Sequence, residues 1–285
     1  MKRKWIWLGI IILLGGAAIT MSILSKGMQN TYEAEARSQF AARGAQQTEL
    51  LTEADMAHLP APVQKYLRYT GAVGKPKVHN FRAEFRGRMK QDPKRDWMQV
   101  SARQVNFYPN PVRLFYIDGR FSGIPAYGLH AYKEQKGTMR IKLAGLLTVV
   151  DAKGHEMDQS DTVTLFNDMC VMAPATLIDS NIQWETVDDR TVKAVYPNGE
   201  NRVSAVLTFN DAGELINFVS EDRFMKAGDK DARLAPWSTP LTDYQDYNGL
   251  RLASRAKAVW LLPEGEYLYA EFEMVNVEQN VGSLK

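Results

Sequence analysis

From Phe81 to about residue 277, apolar and polar positions alternate with a period of two, the pattern of strands that turn one face away from water. In "FRAEFRGRM", Phe81, Ala83, Phe85 and Met89 share one face, and Arg82, Glu84, Arg86 and Arg88 the other. The same alternation predicts strands near 96–107, 112–118, 127–133, 138–150, 191–196, 202–209, 215–224, 242–247, 250–261 and 266–277. Turn sequences separate many of them: "DAKG" at 151, "PNGE" at 197, "NDAG" at 210 and "PEG" at 263. Connections this short require antiparallel pairing, because parallel neighbours need long crossovers. The clearest hairpin folds at Asn248-Gly249, a pair suited to the positive-φ positions of a two-residue type I′ turn. It pairs Tyr247 with Leu250 and Asp246 with Arg251, and places Leu250, Leu252, Ala256, Ala258 and Trp260 on one face.

Two stretches change to helical spacing. A helix pair is predicted at 52–70, with Thr52 as N-cap, Pro62 at a helix start and Gly71 at the C′ position. A longer insertion, "SDTVTLFNDMCVMAPATLI", has Ser160 as its N-cap, with Leu165, Phe166, Met169, Met172 and Leu177 on its apolar side. About ten strands at about 4.8 Å spacing form a sheet about 48 Å wide, and two helices of about 10 Å each cannot cover it. The sheet must therefore curl around the helices. The expected fold is mainly β (α+β): a curved antiparallel sheet or half-barrel of about ten strands, with two helical segments over its concave face and either a packed core or a cavity beneath them.

The amino-terminal end adds an address. Residues 5–25, "WIWLGIIILLGGAAITMSILS", form a charge-free run of 21 residues behind "KRK". That length spans a bilayer core, and the basic flank favours a cytoplasmic N-terminus with the body exported. Its small residues "GGAA" make a cleaved signal peptide the rival reading. The expected division is a signal-anchor at 1–25, a helical stalk or linker at 26–50, and an extracytoplasmic β domain at 51–285, in a single-pass protein of the cell membrane. Once Lys2, Arg3 and Lys4 are removed from 35 basic residues, 32 remain against 33 acids, a net charge of −1 for residues 26–285. Nothing in that balance draws the body to nucleic acid. Cys170 is the only cysteine, so no intramolecular disulfide forms; in "LFNDMCVMA" it reads as a small buried hydrophobe.

Candidate chemistry is sparse. His58, His79, His130 and His155 have no metalloenzyme spacing, and "GHEMD" is more readily a solvated turn than a three-ligand metal site. No phosphate-binding loop, dinucleotide fingerprint or nucleophile elbow is present, and no cofactor or metal is expected. Polar residues on apolar faces are more informative. Asp222 shares a face with Ile216, Phe218, Ser220 and Phe224, and Arg103 with Trp97, Val105 and Phe107. An inward Asp222 needs a partner, with Arg103 and Arg223 as candidates. Each of these is a structural ion pair, a strand end already in solvent, or a polar anchor for a ligand head group. Acid–base work would fall to Asp222, Asp168 or His130.

At "TLFNDMCVMAPATLIDSNIQWETVDDRTVKAVY" the chain resembles an uncharacterised bacterial family, a domain of unknown function. "LPAPVQKYLRYTG", "FSGIPAYGLHAY", "FNDAGELINFVSEDR", "PWSTPLTDYQDYNGLRL" and "AVW" extend the resemblance over about residues 50–280. Ala253 stands where that family often has proline after the "NG" turn. More distantly the chain is similar to the periplasmic lipoprotein-carrier fold, which implies a curved sheet whose hollow accepts acyl chains or other apolar ligands. The expected function is binding of an apolar or lipid-like molecule by a membrane-anchored protein, in a cavity bordered by Trp260 and Phe272, with Phe218 and Met139 near it and Asp222 and Arg103 as polar groups. A non-catalytic envelope scaffold is the alternative, and a hydrolase using Asp222 and Asp168 the third. Oligomeric state is not legible.

Overall fold

The computed structural model describes residues 26–44 and 48–284. The expected anchor at 5–25 lies outside them, and among the described residues no helix is long and apolar enough to cross a membrane. Thirteen antiparallel strands form one sheet. They comprise β1 (Asn80–Met89), β2 (Met98–Phe107), β3 (Val112–Phe121), β4 (Ile124–Lys133), β5 (Lys136–Leu143), β6 (Leu147–Lys153), β7 (Gln183–Asp188), β8 (Thr191–Asn198), β9 (Asn201–Phe209), β10 (Leu215–Ser220), β13 (Trp237–Tyr247), β14 (Leu250–Leu262) and β15 (Gly265–Gln279). β11 (Phe224–Met225) and β12 (Arg233–Leu234) make a separate small hairpin. The order β6-β5-β4-β3-β2-β1-β15-β14-β13-β10-β9-β8-β7 puts the last strand, β15, beside the first, so the amino- and carboxy-terminal halves meet in the middle of the sheet.

The count exceeds the expected ten for local reasons. The stretch 138–150 is two strands, split by a turn in which Ala144 and Gly145 have positive φ. β7 has no apolar face to betray it, since all its residues but half-buried Trp184 are exposed. β13 begins at Trp237 despite Pro240, ahead of the expected 242. The hairpin at Asn248-Gly249 has φ of 55° and 79°, with Tyr247 opposite Leu250 and Asp246 opposite Arg251, as the turn chemistry requires.

α1 spans residues 26–43, within the segment read as a stalk. Met28, Tyr32, Ala36 and Phe40, each four residues apart, lie along one side of it and pack on Val105, Phe107, Val112, Leu114 and Tyr116 of β2 and β3. α2 (Ala61–Tyr69) has Pro62 in its first turn and is followed by Gly71 at φ 70°. The helix expected just before it is a single 3-10 turn, Ala54–Met56. There Asp55 accepts hydrogen bonds from the Thr52 backbone N–H and hydroxyl.

α3 (His155–Met172) starts five residues before Ser160, because Gly154 at φ 107° turns the chain directly out of β6. Fifteen of its eighteen residues are buried. It contacts β4, β5 and β6 of one half of the sheet and β9, β10 and β14 of the other, so the sheet bends around it and presents a concave face. Towards β8–β10 it packs solidly: Phe166 stacks on Tyr196 and meets Phe218 edge-on, while the α2 residue Tyr66 donates from its hydroxyl to the Cys170 carbonyl at 2.7 Å. Cys170 itself is wholly buried, and burial holds its thiol well above the ordinary range.

Burial also raises the phenols of Tyr66, Tyr108, Tyr196 and Tyr244, and lifts Tyr267 to about 12. In the unfolded chain these groups ionise near about 10. Unfolding therefore releases protons in alkaline solution: the stabilisation is complete below the unfolded value and is lost as the pH rises through the folded values. The urea midpoint should stay level up to about pH 9 and fall above about pH 10, with tyrosinate absorbance growing in step with unfolding. Tyrosinate absorbance in the native protein equal to that of the unfolded chain at about pH 10.5 would show these phenols to be solvated.

Candidate functional site

On its other side α3 does not meet the sheet closely. Between it and strands β1–β6, β14 and β15 lies a cavity of about 650 Å³. Phe85, Phe115 and Phe272 form part of its lining, with ring centroids 6.1–6.2 Å apart and edge-on contacts. Met89, Met98, Met139, Met157, Met172 and Met274 add flexible thioether side chains, and Ala253, Ala256, Ala258 and Ala270 contribute small ones. The cavity reaches the surface near Val149 and Asp151, both exposed. Over part of it runs the segment from Arg223 to Asp229, pinned by the Phe224 backbone N–H donating to Ser160 Oγ at 3.0 Å. Gly228 touches the far wall: a Cβ there would lie 2.7 Å from the Ala152 Cβ.

The polar groups of α3 explain how the helix is held off the sheet without being lost from it. Asp168, nearly fully buried, accepts from Arg113 Nε at 2.7 Å, Gln104 Nε2 at 2.6 Å and Asn106 Nδ2 at 3.0 Å. Asp158 accepts from the Gly137 backbone N–H at 2.8 Å and from Lys136 Nζ at 3.0 Å. The fully buried Asp161 carboxylate lies against His130 Nε2. Gly137 permits this approach of β5 to α3, since a Cβ would stand 2.6 Å from the Met157 carbonyl oxygen.

Trp260, Phe272 and Met139 all line this cavity. Phe218 does not: it is fully buried on the packed side of α3, between Phe166 and Trp237. Asp222 also lies elsewhere. β10 ends at Ser220, so the alternation that carried Asp222 inward stops before reaching it. Its carboxylate accepts from the Ser204 backbone N–H at 2.6 Å and from Ser204 Oγ at 2.7 Å, and neither Arg103 nor Arg223 is its partner. Arg103 does share a face with Val105 and Phe107, but that face is the outer one, beneath α1. Its guanidinium lies over the rings of Tyr32 and Tyr116 at 5.7 and 5.2 Å, and Glu33 is 3.8 Å away. Of the acid–base candidates, Asp168 and His130 border the cavity in separate networks. His155, Glu156 and Asp158 occupy the first turn of α3, and no group of three or more metal-ligating residues occurs among the described residues.

Sequence reasoning passed over Arg223 as anything but a partner for Asp222. Its guanidinium lies 4.6 Å from the Trp237 ring and 5.3 Å from Trp260, and it donates to Tyr269 Oη at 3.3 Å. The available signal was the aromatic content of the neighbouring strands, which says nothing of register across the sheet.

No curated protein matches the chain in sequence. In fold it is similar to a DUF1329 family protein from Desulfovibrio piger, at 13% identity and a TM-score of 0.45, over 78% of this chain and 93% of that one. It is likewise similar to a LolA superfamily protein from Nitrosomonas europaea, at 11% identity and a TM-score of 0.41, over 76% of this chain and 93% of that one. Residues 49–272 match the family of unknown function DUF6544, and the chain belongs to that family.

Proposed function

We propose that this protein binds an apolar or lipid-like molecule in the cavity beside α3, with its body outside the cytoplasm and residues 5–25 as a single-pass anchor. One observation carries the reading: α3 fills only one side of the concave trough and leaves about 650 Å³ on the other. That volume falls within the roughly 300–1,000 Å³ of small-molecule sites, and its lining of methionine, phenylalanine and alanine suits apolar surface. A trough meant only as scaffold would be filled by side chains, as the β8–β10 side is.

Ala256 lies on β14 opposite Phe272 and borders the space. Ala256→Phe should place a ring in the cavity and weaken uptake of a fluorescent fatty acid by at least about tenfold, leaving the thermal midpoint nearly unchanged. Loss of the fold on this substitution, with no probe uptake by the parent protein, would establish that the trough is packed and favour the scaffold.

A further inference from the structure

The charges around the cavity do not balance evenly. Arg113 is neutralised by Asp168, His130 faces Asp161, and Asp151 pairs with Arg140. Lys226 and Asp229 share one exposed loop, and Lys257, which also borders the cavity with no ion-pair partner among the described residues, is exposed to water. Arg223 is different: half-buried, it has no carboxylate within 4 Å among the described residues. It is nonetheless held firmly. Its guanidinium lies against the rings of Trp237 and Trp260, Nη1 donates to Tyr269 Oη at 3.3 Å, and Nε donates to Thr164 Oγ1 of α3 at 3.4 Å.

These bonds use two of the five N–H donors of a guanidinium and leave three. Tyr269 Oη also accepts from Trp237 Nε1 at 3.0 Å, so the hydroxyl receives two hydrogen bonds and has its own proton to give. Three residues beyond Thr164 on α3, Asn167 lines the same cavity, and its buried side-chain Nδ2 has no hydrogen-bond partner. Among the described residues, three N–H donors of Arg223 and the Nδ2 of Asn167 thus border the cavity without a protein partner; the buried carboxylate oxygens of Asp161, three residues before Thr164, also lack a hydrogen bond and lie against His130.

Building on the cavity reading above, we infer that the bound molecule is amphipathic, with an anionic head group, a carboxylate or a phosphate, docked on Arg223 and Tyr269 and its apolar part running past Phe272 and Met139. Planar guanidinium recognises either head group through paired N–H bonds, whereas a neutral alcohol offers it no charge. Arg223 is then the residue that discriminates between chains of equal length.

The test is competition against a photoreactive fatty acid cross-linked to the full chain in phosphatidylcholine nanodiscs. Palmitate, hexadecyl phosphate and hexadecanol serve as competitors of the same chain length. At least one of the two anions should compete at concentrations at least about tenfold below hexadecanol, and the stronger of them identifies the head group. In Arg223→Gln that preference should fall towards one while the hexadecanol value stays unchanged, which also reports that the cavity is intact; Arg223→Lys should keep part of it. Equal competition by all three in the parent protein, or a preference that survives in Arg223→Gln, overturns the head-group assignment and leaves the cavity reading standing. If Arg223→Gln does not fold, the ratio in the parent protein decides alone. Absence of any cross-link overturns both readings.

Discussion

Asp168→Asn is expected to destabilise the fold by about 3–5 kcal/mol, the range for breaking a buried charge pair by removing one partner. The substitution keeps the size of the side chain and removes its charge, leaving the Arg113 guanidinium buried at 4% exposure with no counter-charge. An amide cannot accept as a carboxylate does from Arg113, Gln104 and Asn106 together, so at least one donor is also left unpaired. These three residues lie on β2 and β3, and Asp168 near the end of α3, so the network is the tie between helix and sheet at that end of the cavity. A urea denaturation midpoint displaced by less than the equivalent of about 1 kcal/mol would mean that water reaches the cluster.

Phe166→Ala should cost a similar amount, about 3–5 kcal/mol, and Met139→Ala no more than about 1 kcal/mol. Phe166 is fully buried on the packed side of α3, stacked on Tyr196 at 5.2 Å and edge-on to Phe218 at 5.7 Å. Its removal opens a void that surrounding side chains cannot fill. Met139 is half-buried and already borders open space, so truncation there removes few contacts and creates little new void. The contrast tests the central structural claim, that the helix is seated on one side and stands over a cavity on the other. Equal losses at both positions, measured by chemical denaturation, would show that both sides are packed.

Each of those side chains is visible in the sequence, yet their environments are not. Period-two alternation, the positive-φ pair Asn248-Gly249 and short turns are decided between near neighbours, so strands, antiparallel pairing and the register of β13 against β14 are legible from the chain alone. So is the surplus of apolar surface over helix, which required a curved sheet with something beneath it. Trp260, Phe272 and Met139 follow from that alternation, because side chains on one face of a strand stay on one face.

What alternation leaves open is which side that face looks to and where a strand stops. The last four residues of β2 are all buried, since α1 covers one face and the concave core the other, and Arg103 therefore reads the same whether it looks inward or outward. Asp222 reads as inward only while β10 continues; the strand ends at Ser220, and beyond it the carboxylate turns to Ser204, 18 residues away. The acids of α3 find their partners at Gly137, His130 and Arg113, on other elements, so a helix that looks amphipathic becomes buried on nearly every side. Arg223 acquires its place only when β13, β14 and β15 bring Trp237, Trp260 and Tyr269 around it. Local sequence determined most of the strands and turns, because those energies act over a few residues; β7, with no apolar face, is an exception. Tertiary structure decided the cavity, its polar end and the face of each charge, because these depend on contacts between segments that are far apart along the chain.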